Sequence, residues 1–430
     1  MIYFVSLNKQ LFKSEIYSII SKEETLEMIL SWKVVQFDTE TTGRDPHICN
    51  LLCYQFGNRD LNIQIVVDNI TVPITYFKEV FEHKLIIDHN LKFDDQFLFK
   101  YNIIPKKQYD TMIVEQFLYL GYNKAFFHFS LKDVALRYLN INIDKTTRGE
   151  IQWRGLDDQV IFYAAGDVMY LEDIRDKQLV DVQERNGNLG IQVENAFVVV
   201  IAYLEWCGIK LDVEKWKLKM LNNEAQKAEK LEILNKWVID LYNKEGSINT
   251  YKEVDLLIKE CNHGYIENYE IPKGAIAIGQ PFKVEGNWGI VDWYQKFKIK
   301  SEWSNWVIYD TQGDLFSGYD LSPKCNLNWG SSKKLIPFFQ YIGFNTTTED
   351  RKKGTIRESV TRKVIENQKG IHDNFLKIYL DYKEAEKTCS TYGQNYIDAI
   401  NPITGRIHTT FWQLGANSGR MTCGSKSKNT

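Results

Sequence analysis

The stretch "VVQFDTETTG", residues 34–43, opens on apolar strand formers and then places Asp38 and Glu40 two positions apart. In a strand, side chains at i and i+2 point the same way, so Asp38 and Glu40 project together while Phe37 and Thr39 face the other side. Two like charges held that close repel. They are tolerated when one is protonated or when a cation sits between them, and hard divalent ions take oxygen ligands of this kind. A strand end whose solvated acids lead into the "TTG" turn explains these ten residues as well, so the rest of the chain has to decide.

A length of 430 residues is too long for one ordinary core and points to two or three domains. With 44% hydrophobic and 25% charged residues the composition is that of a soluble globular protein, and 13% aromatics is a surplus. No basic segment followed by an apolar one opens the chain, and no run of eighteen uncharged apolar residues occurs, so no membrane partner and a cytoplasmic location are expected. The seven cysteines form no CxxC pair, and the Cys49/Cys53 spacing has no second pair, so neither zinc nor disulfides are indicated. A net charge of -3 excludes a general polyanion binder and leaves local patches for any nucleic-acid contact. One is "RKKGTIRESVTRK" at 351–363, with six basic residues against one acid, though such a run also suits a solvated face.

From 34 to about 90, "KVVQFDTE", "NLLCYQFG", "NIQIVVD" and "KLIIDHN" are β-rich runs broken by turn residues and predict a hairpin-connected sheet. From 110 onward the apolar spacing turns helical, giving an α/β domain over 1–190. A mainly helical region follows at 191–246 and resumes at 321–400. Between them, 247–320 has four Trp, six Tyr and seven Lys against eleven acids, and reads as an inserted, acidic, β-rich subdomain with exposed tryptophans.

Further carboxylates bear on the opening pair. "HNLKFDDQFLF" sets Asp94 behind Asn90 just after a strand, and "YAAGDVMYL" puts Tyr163 and Asp167 on one helix face. Singly, Asp94 suits a helix N-terminus and the Tyr163/Asp167 pair suits a surface. In this order, Asp-x-Glu, Asn-x-x-x-Asp and Tyr-x-x-x-Asp resemble the three motifs of the DEDD exonucleases in their tyrosine subclass; Phe162 stands where the histidine subclass has His. Farther on, "ENAFVVVIAYLEWCGIKLD" and "YKEAEKTCSTYGQNYIDAINPITGRIHTTFWQLGANSGRM" are similar to the thumb and the start of the palm of family A DNA polymerases, of phage or bacterial type.

The resemblance implies an RNase H-like exonuclease fold, a mixed sheet with helices, followed by a helical thumb and, over 401–430, the start of a palm. It implies a 3′ to 5′ proofreading exonuclease acting on the single-stranded 3′ end of DNA with two Mg2+ ions, replaceable by Mn2+. Asp38, Glu40 and Asp167 would hold one ion, Asp38 would bridge to a second supported by Asp94, and Tyr163 would orient the attacking water. Thr41, His89, Asn90 and Phe93 are nominated for the terminal nucleotides. Ser390, Thr391, Arg406, His408 and Arg420 are nominated for a primer-template duplex, with Lys333 and Lys334 adding phosphate contacts. Arg44 stands where the family often has an apolar wedge, and Ser418 replaces a threonine. The family's palm aspartates and fingers helix would lie beyond Thr430, so polymerisation by this chain alone is not expected; they would belong to a second chain, lie across an interrupted gene or have been removed, and the tail is expected to be mobile unless a complementary chain docks against it. The 247–320 insertion falls where some phage polymerases bind a processivity factor. An RNase D-like exoribonuclease and a non-catalytic DNA-clamping subunit are the competing readings.

Overall fold

The structure is a computed structural model that describes residues 1–8, 12, 14–122, 127–144, 147–245, 247–251, 275–284, 287–299, 303–309, 323–350, 354–368 and 370–424. The chain divides into two compact units, Met1–Leu211 with Tyr396–Thr430, and Asp212–Asn395. The first unit therefore runs past residue 190 and includes the segment read from sequence as the start of a palm.

The first unit is built on strands β1 (Ile2–Val5), β2 (Ser18–Ile19), β3 (Val34–Thr41), β4 (Leu51–Asn58), β5 (Ile63–Asp68), β6 (Leu85–Asp88) and β7 (Lys107–Asp110). Its helices are α1 (Lys22–Ser31), α2 (Lys78–His83), α3 (Leu91–Phe99), α4 (Thr111–Leu118), α5 (Leu131–Leu139), α6 (Ile151–Arg154), α7 (Asp158–Asp167), α8 (Leu171–Glu184) and α9 (Asn188–Cys207). The strands form one mixed sheet in the order β2-β1-β5-β4-β3-β6-β7. Strands β3, β4 and β5 are the antiparallel meander that the sequence predicts, while β1, β2, β6 and β7 join through parallel pairs. One face packs Val35, Phe37 and Phe56 against Ile29 of α1, Phe81 of α2 and Phe97 of α3. On the other, Ala164 and Ala165 of α7 lie fully buried with Phe4, Cys53 and Val66.

Close approach fixes α7 over the sheet. A Cβ added at Gly57 of β4 would stand 2.6 Å from the Val168 carbonyl oxygen, just after Asp167. Gly57→Ala is therefore expected to cost about 1–3 kcal/mol of stability by overpacking, read as a melting temperature lowered by several degrees; an unchanged melting curve would contradict this packing.

Helix α9 is the one helix among the described residues long and apolar enough to cross a membrane by length and composition. It packs instead on α3 and α4, and its buried Asn195 and Glu205 accept hydrogen bonds from the Asp110 backbone and Lys92. Polar groups are buried at low cost when partnered, and they mark the packed face of the helix, while Val193, Val200 and Leu204 on it are exposed.

The second unit pairs the long α10 (Val213–Glu245) with α13 (Asp373–Thr391). Between them in sequence come β8 (Ser247–Tyr251), β9 (Ala275–Val284), β10 (Asn287–Ile299), β11 (Val307–Tyr309), β12 (Pro323–Cys325), α11 (Ser332–Tyr341), β13 (Thr347–Asp350), β14 (Thr355–Glu358) and α12 (Arg362–Ile365). Strands β8, β10 and β9 make an antiparallel sheet, so the described part of the insertion is β-structured as read. Two of its four tryptophans, Trp303 and Trp306, need correction. Trp303 and Trp306 are buried with Tyr242, Phe338 and Tyr341, and Trp303 donates to the Tyr341 hydroxyl at 3.0 Å. They belong to the core of the helical unit, because composition alone does not distinguish an interface aromatic from a core one. Much of the 247–320 insertion, residues 351–353 of the basic run and the tail from 425 lie outside the described residues. The chain then returns to the first unit through α14 (Asn395–Asp398), β15 (Phe411–Trp412) and β16 (Thr422–Cys423).

Candidate metal centre

Strand register places the acids. On one side β3 pairs with β4, setting Asp38 opposite Gln55 and Glu40 opposite Cys53. On the other it pairs with β6 through Val34, Val35 and Gln36 alone, and β6 ends at Asp88. The edge of β3 beyond Gln36 is thereby left to the turn between β6 and α3. That turn is two residues long, His89 and Asn90, and Asn90 takes left-handed backbone angles (φ 79°) that asparagine tolerates better than most residues. Its N–H donates to Asp110 Oδ1 at 3.1 Å, and the same oxygen caps α4 by accepting from Met112 and Ile113.

Two groups of carboxylates result. Oxygens of Asp38, Glu40 and Asp167 lie within 4.8 Å of one another, and so do oxygens of Asp38, Asp88 and Asp94; Asp38 is common to both. Gln55 Nε2 donates to Asp38 Oδ2 at 2.5 Å, and the Thr39 hydroxyl donates to Asp94 Oδ1 at 2.5 Å. Asp157 caps α7 through the Val160 N–H, and the small residues Ala164 and Ala165 let that helix settle against β3 and β4. Tyr163 and Asp167 ride on it, beside a cavity of about 420 Å³ that both line.

Burial dominates the electrostatics. It raises the Asp94 carboxyl to about 7 and, together with the neighbouring Asp94 and Asp38 charges, lifts Asp88 well above the carboxylate range. Burial likewise raises Asp110 to about 6 and lifts Asp95. The Tyr163 phenol is pushed up by burial and then by Asp167, Glu40 and Asp38, so it stays a protonated donor. A divalent cation fits this donor set: the groups are oxygen ligands, they crowd acids in the interior, and the buried Asp88 Oδ2 meets no donor other than a proton shared with Asp94.

The nominated nucleotide contacts scatter. The Thr41 hydroxyl donates to the Gly43 carbonyl at 2.7 Å, and Phe93 is half-buried with its ring 5.1 Å from Phe97. Both His89 ring nitrogens bond within the protein, to the Thr111 hydroxyl at 2.9 Å and the Phe129 carbonyl at 2.8 Å. Arg406 donates to the Cys207 and Gly208 carbonyls, each at 3.2 Å, and His408 bonds the Glu205 carbonyl at 2.8 Å and Thr404 at 2.7 Å. These side chains hold the first unit together. Arg420 is exposed there, whereas Ser390 and Thr391 end α13 in the second unit, where Lys333 and Lys334 are exposed at the start of α11. Asp88 escapes a reading of the sequence; its signal is an acid ending the apolar run "KLIID" directly before "HN".

Residues 15–182 match the family model described as 3′-5′ exonuclease, and residues 318–427 that described as DNA polymerase family A. The chain thus carries a 3′ to 5′ exonuclease domain followed by a family A polymerase segment. It is similar to DNA polymerase I of Aquifex aeolicus, 30% identical over 212 residues that make up 44% of this chain and 35% of that protein. A DNA polymerase I of Caldicellulosiruptor bescii is 48% identical over 44 residues, 10% of this chain and 5% of that one. Among solved structures, the POL domain of Pol1 from M. smegmatis, in complex with DNA primer-template and dNTP, shares the fold with a TM-score of 0.57 at 12% identity, covering 98% of this chain and 54% of that one. The exonuclease domain is that of a DNA polymerase I-like protein, and the chain spans 35% of the length of the Aquifex relative.

Proposed function

We propose that the first unit removes nucleotides from the 3′ end of single-stranded DNA, as a proofreading nuclease does, with two Mg2+ ions held by its carboxylates. The observation that carries this reading is the double grouping around Asp38, which gives one carboxylate to each of two adjacent oxygen clusters. Divalent ions at such a pair lower the pKa of the attacking water and neutralise the leaving oxygen. Asp38, Glu40 and Asp167 would hold one ion, and Asp38 with Asp94 the second. Mn2+ suits the same all-oxygen set. The protonated Tyr163 phenol donates a hydrogen bond that orients the attacking water, and is too weak an acid to serve as its base. The half-buried Phe93 would offer a stacking face to a terminal base, and Thr41, the last residue of β3, follows Glu40 directly.

DNA and RNA oligonucleotides of one sequence, digested in Mg2+ by the wild type, by Asp167→Ala and by Tyr163→Phe, test this. The DNA strand is expected to be degraded faster. Asp167→Ala is expected to be inactive, and Tyr163→Phe to retain part of the rate, slowed by about 10–100-fold, because it loses one orienting hydrogen bond and keeps every carboxylate. Equal activity in Asp167→Ala and wild type would sink the assignment, and preference for RNA would favour the exoribonuclease reading.

A further inference from the structure

The turn between β6 and α3 holds a carboxylate that the two-ion scheme above leaves unused. Asp88, the last residue of β6, is 1% exposed. Its Oδ1 accepts the His89 backbone N–H, while its Oδ2 is buried and meets no donor other than a proton shared with the Asp94 carboxyl. An oxygen of Asp88 lies within 4.8 Å of oxygens from Asp38 and Asp94. The parallel register of β6 on β3 creates this meeting: Ile87 is level with Gln36, so Asp88, where β6 stops, is level with Phe37 and one residue short of Asp38. An interior carboxylate oxygen set against two further carboxylates is unfavourable unless a proton or a cation sits between them.

We propose that Asp88 is a direct ligand of the second divalent cation, which then has three protein carboxylates, Asp38, Asp88 and Asp94, and binds without nucleic acid. The proposal rests on the nuclease reading and deepens it. A hard cation held by one or two carboxylates keeps most of its waters and depends on substrate phosphates to complete its shell, whereas added ligand charge raises the affinity of the protein alone. A third carboxylate therefore shifts the second site from one assembled with the substrate to one already loaded when a 3′ end arrives. The cost is borne by the metal-free protein, where three acids crowd one another.

The test is a titration of the full chain, stripped with EDTA and free of DNA, with Mn2+, following free Mn2+ by electron paramagnetic resonance and heat by calorimetry. Wild type is expected to take up two ions. Asp88→Asn and Asp88→Ser are each expected to weaken one of the two by at least about tenfold, as loss of even a supporting partner does, and to leave the other unchanged. Asp167→Asn is expected to weaken the other ion instead. Both Asp88 variants replace a carboxyl that is costly to bury beside Asp38 and Asp94, and Asp88→Asn keeps its shape, so in EDTA they should melt no lower than wild type; a lower melting temperature would show a structural role and count against the proposal. Uptake of a single ion by wild type, or Asp88 variants with both affinities unchanged, would overturn it. In that second case Asp88 is not a metal ligand. If Asp38→Asn also left Mn2+ uptake unchanged, the nuclease reading itself would fail, so the two failures are distinguishable.

Discussion

Asp38→Ala is expected to yield a folded chain whose exonuclease rate has fallen by at least about a thousandfold, the loss that follows when several kcal/mol of charge stabilisation are removed. Among the described residues Asp38 is the one carboxylate that belongs to both oxygen clusters, so its removal would disturb both proposed ion sites, while removal of Glu40 or Asp94 would disturb one. The fold should survive. Asp38 is half-buried, and its removal costs the buried Gln55 amide on the adjacent strand one hydrogen bond, on the order of 1 kcal/mol. Deleting a charge from a crowded acidic cluster removes repulsion in the metal-free state, so the melting temperature in EDTA should stay level or rise. The check is a rate measurement beside a melting curve. Loss of activity with loss of fold would leave Asp38 a structural residue, and retained activity would remove it from the centre.

Lys92→Ala is expected to destabilise the first unit by about 3–5 kcal/mol, a drop in melting temperature on the order of 10 °C for a unit of this size. Lys92 lies on α3 two residues before Asp94, and its ammonium donates to Glu205 of α9 at 2.7 Å and to the Phe411 carbonyl of β15 at 2.6 Å. Glu205 is buried and also accepts from Gln96 at 2.8 Å and from the Phe411 N–H at 2.6 Å. Removing the cation strands an interior carboxylate, which costs far more than the pair itself contributes. The double variant Lys92→Met with Glu205→Leu should therefore recover much of the loss. Equal instability of the double and single variants would mean that shape, not charge, explains the site. The same latch fixes the helix that carries Asp94, so nuclease activity should fall in Lys92→Ala below the temperature at which the unit melts.

What the sequence makes legible here is short in range. Asp38 with Glu40, and Tyr163 with Asp167, show themselves because periods of two and of about four residues put them on one face before any tertiary structure is known. The meander of β3, β4 and β5 is legible for the same reason, since its hairpins are local. Asp88 is not, because its meeting with Asp38 depends on the parallel register of β3 and β6, strands separated by β4, β5 and α2. The Glu205 latch joins three segments far apart in the chain and shows no local pattern at all. Trp303 and Trp306 mislead because an acidic, aromatic stretch looks like an interface until its rings are seen packed on Phe338 and Tyr341.

Polarity and metal dependence test the central claim most directly. A single-stranded DNA oligonucleotide, labelled at its 3′ end in one sample and at its 5′ end in another, is digested by the wild-type chain in Mg2+ and in EDTA. The structure predicts labelled mononucleotide from the first time point in the 3′-labelled sample, a ladder shortening one nucleotide at a time in the 5′-labelled sample, and no product in EDTA. Products that persist in EDTA, internal cuts, or mononucleotide released first from the 5′ end would contradict a divalent-metal 3′ to 5′ exonuclease centred on Asp38.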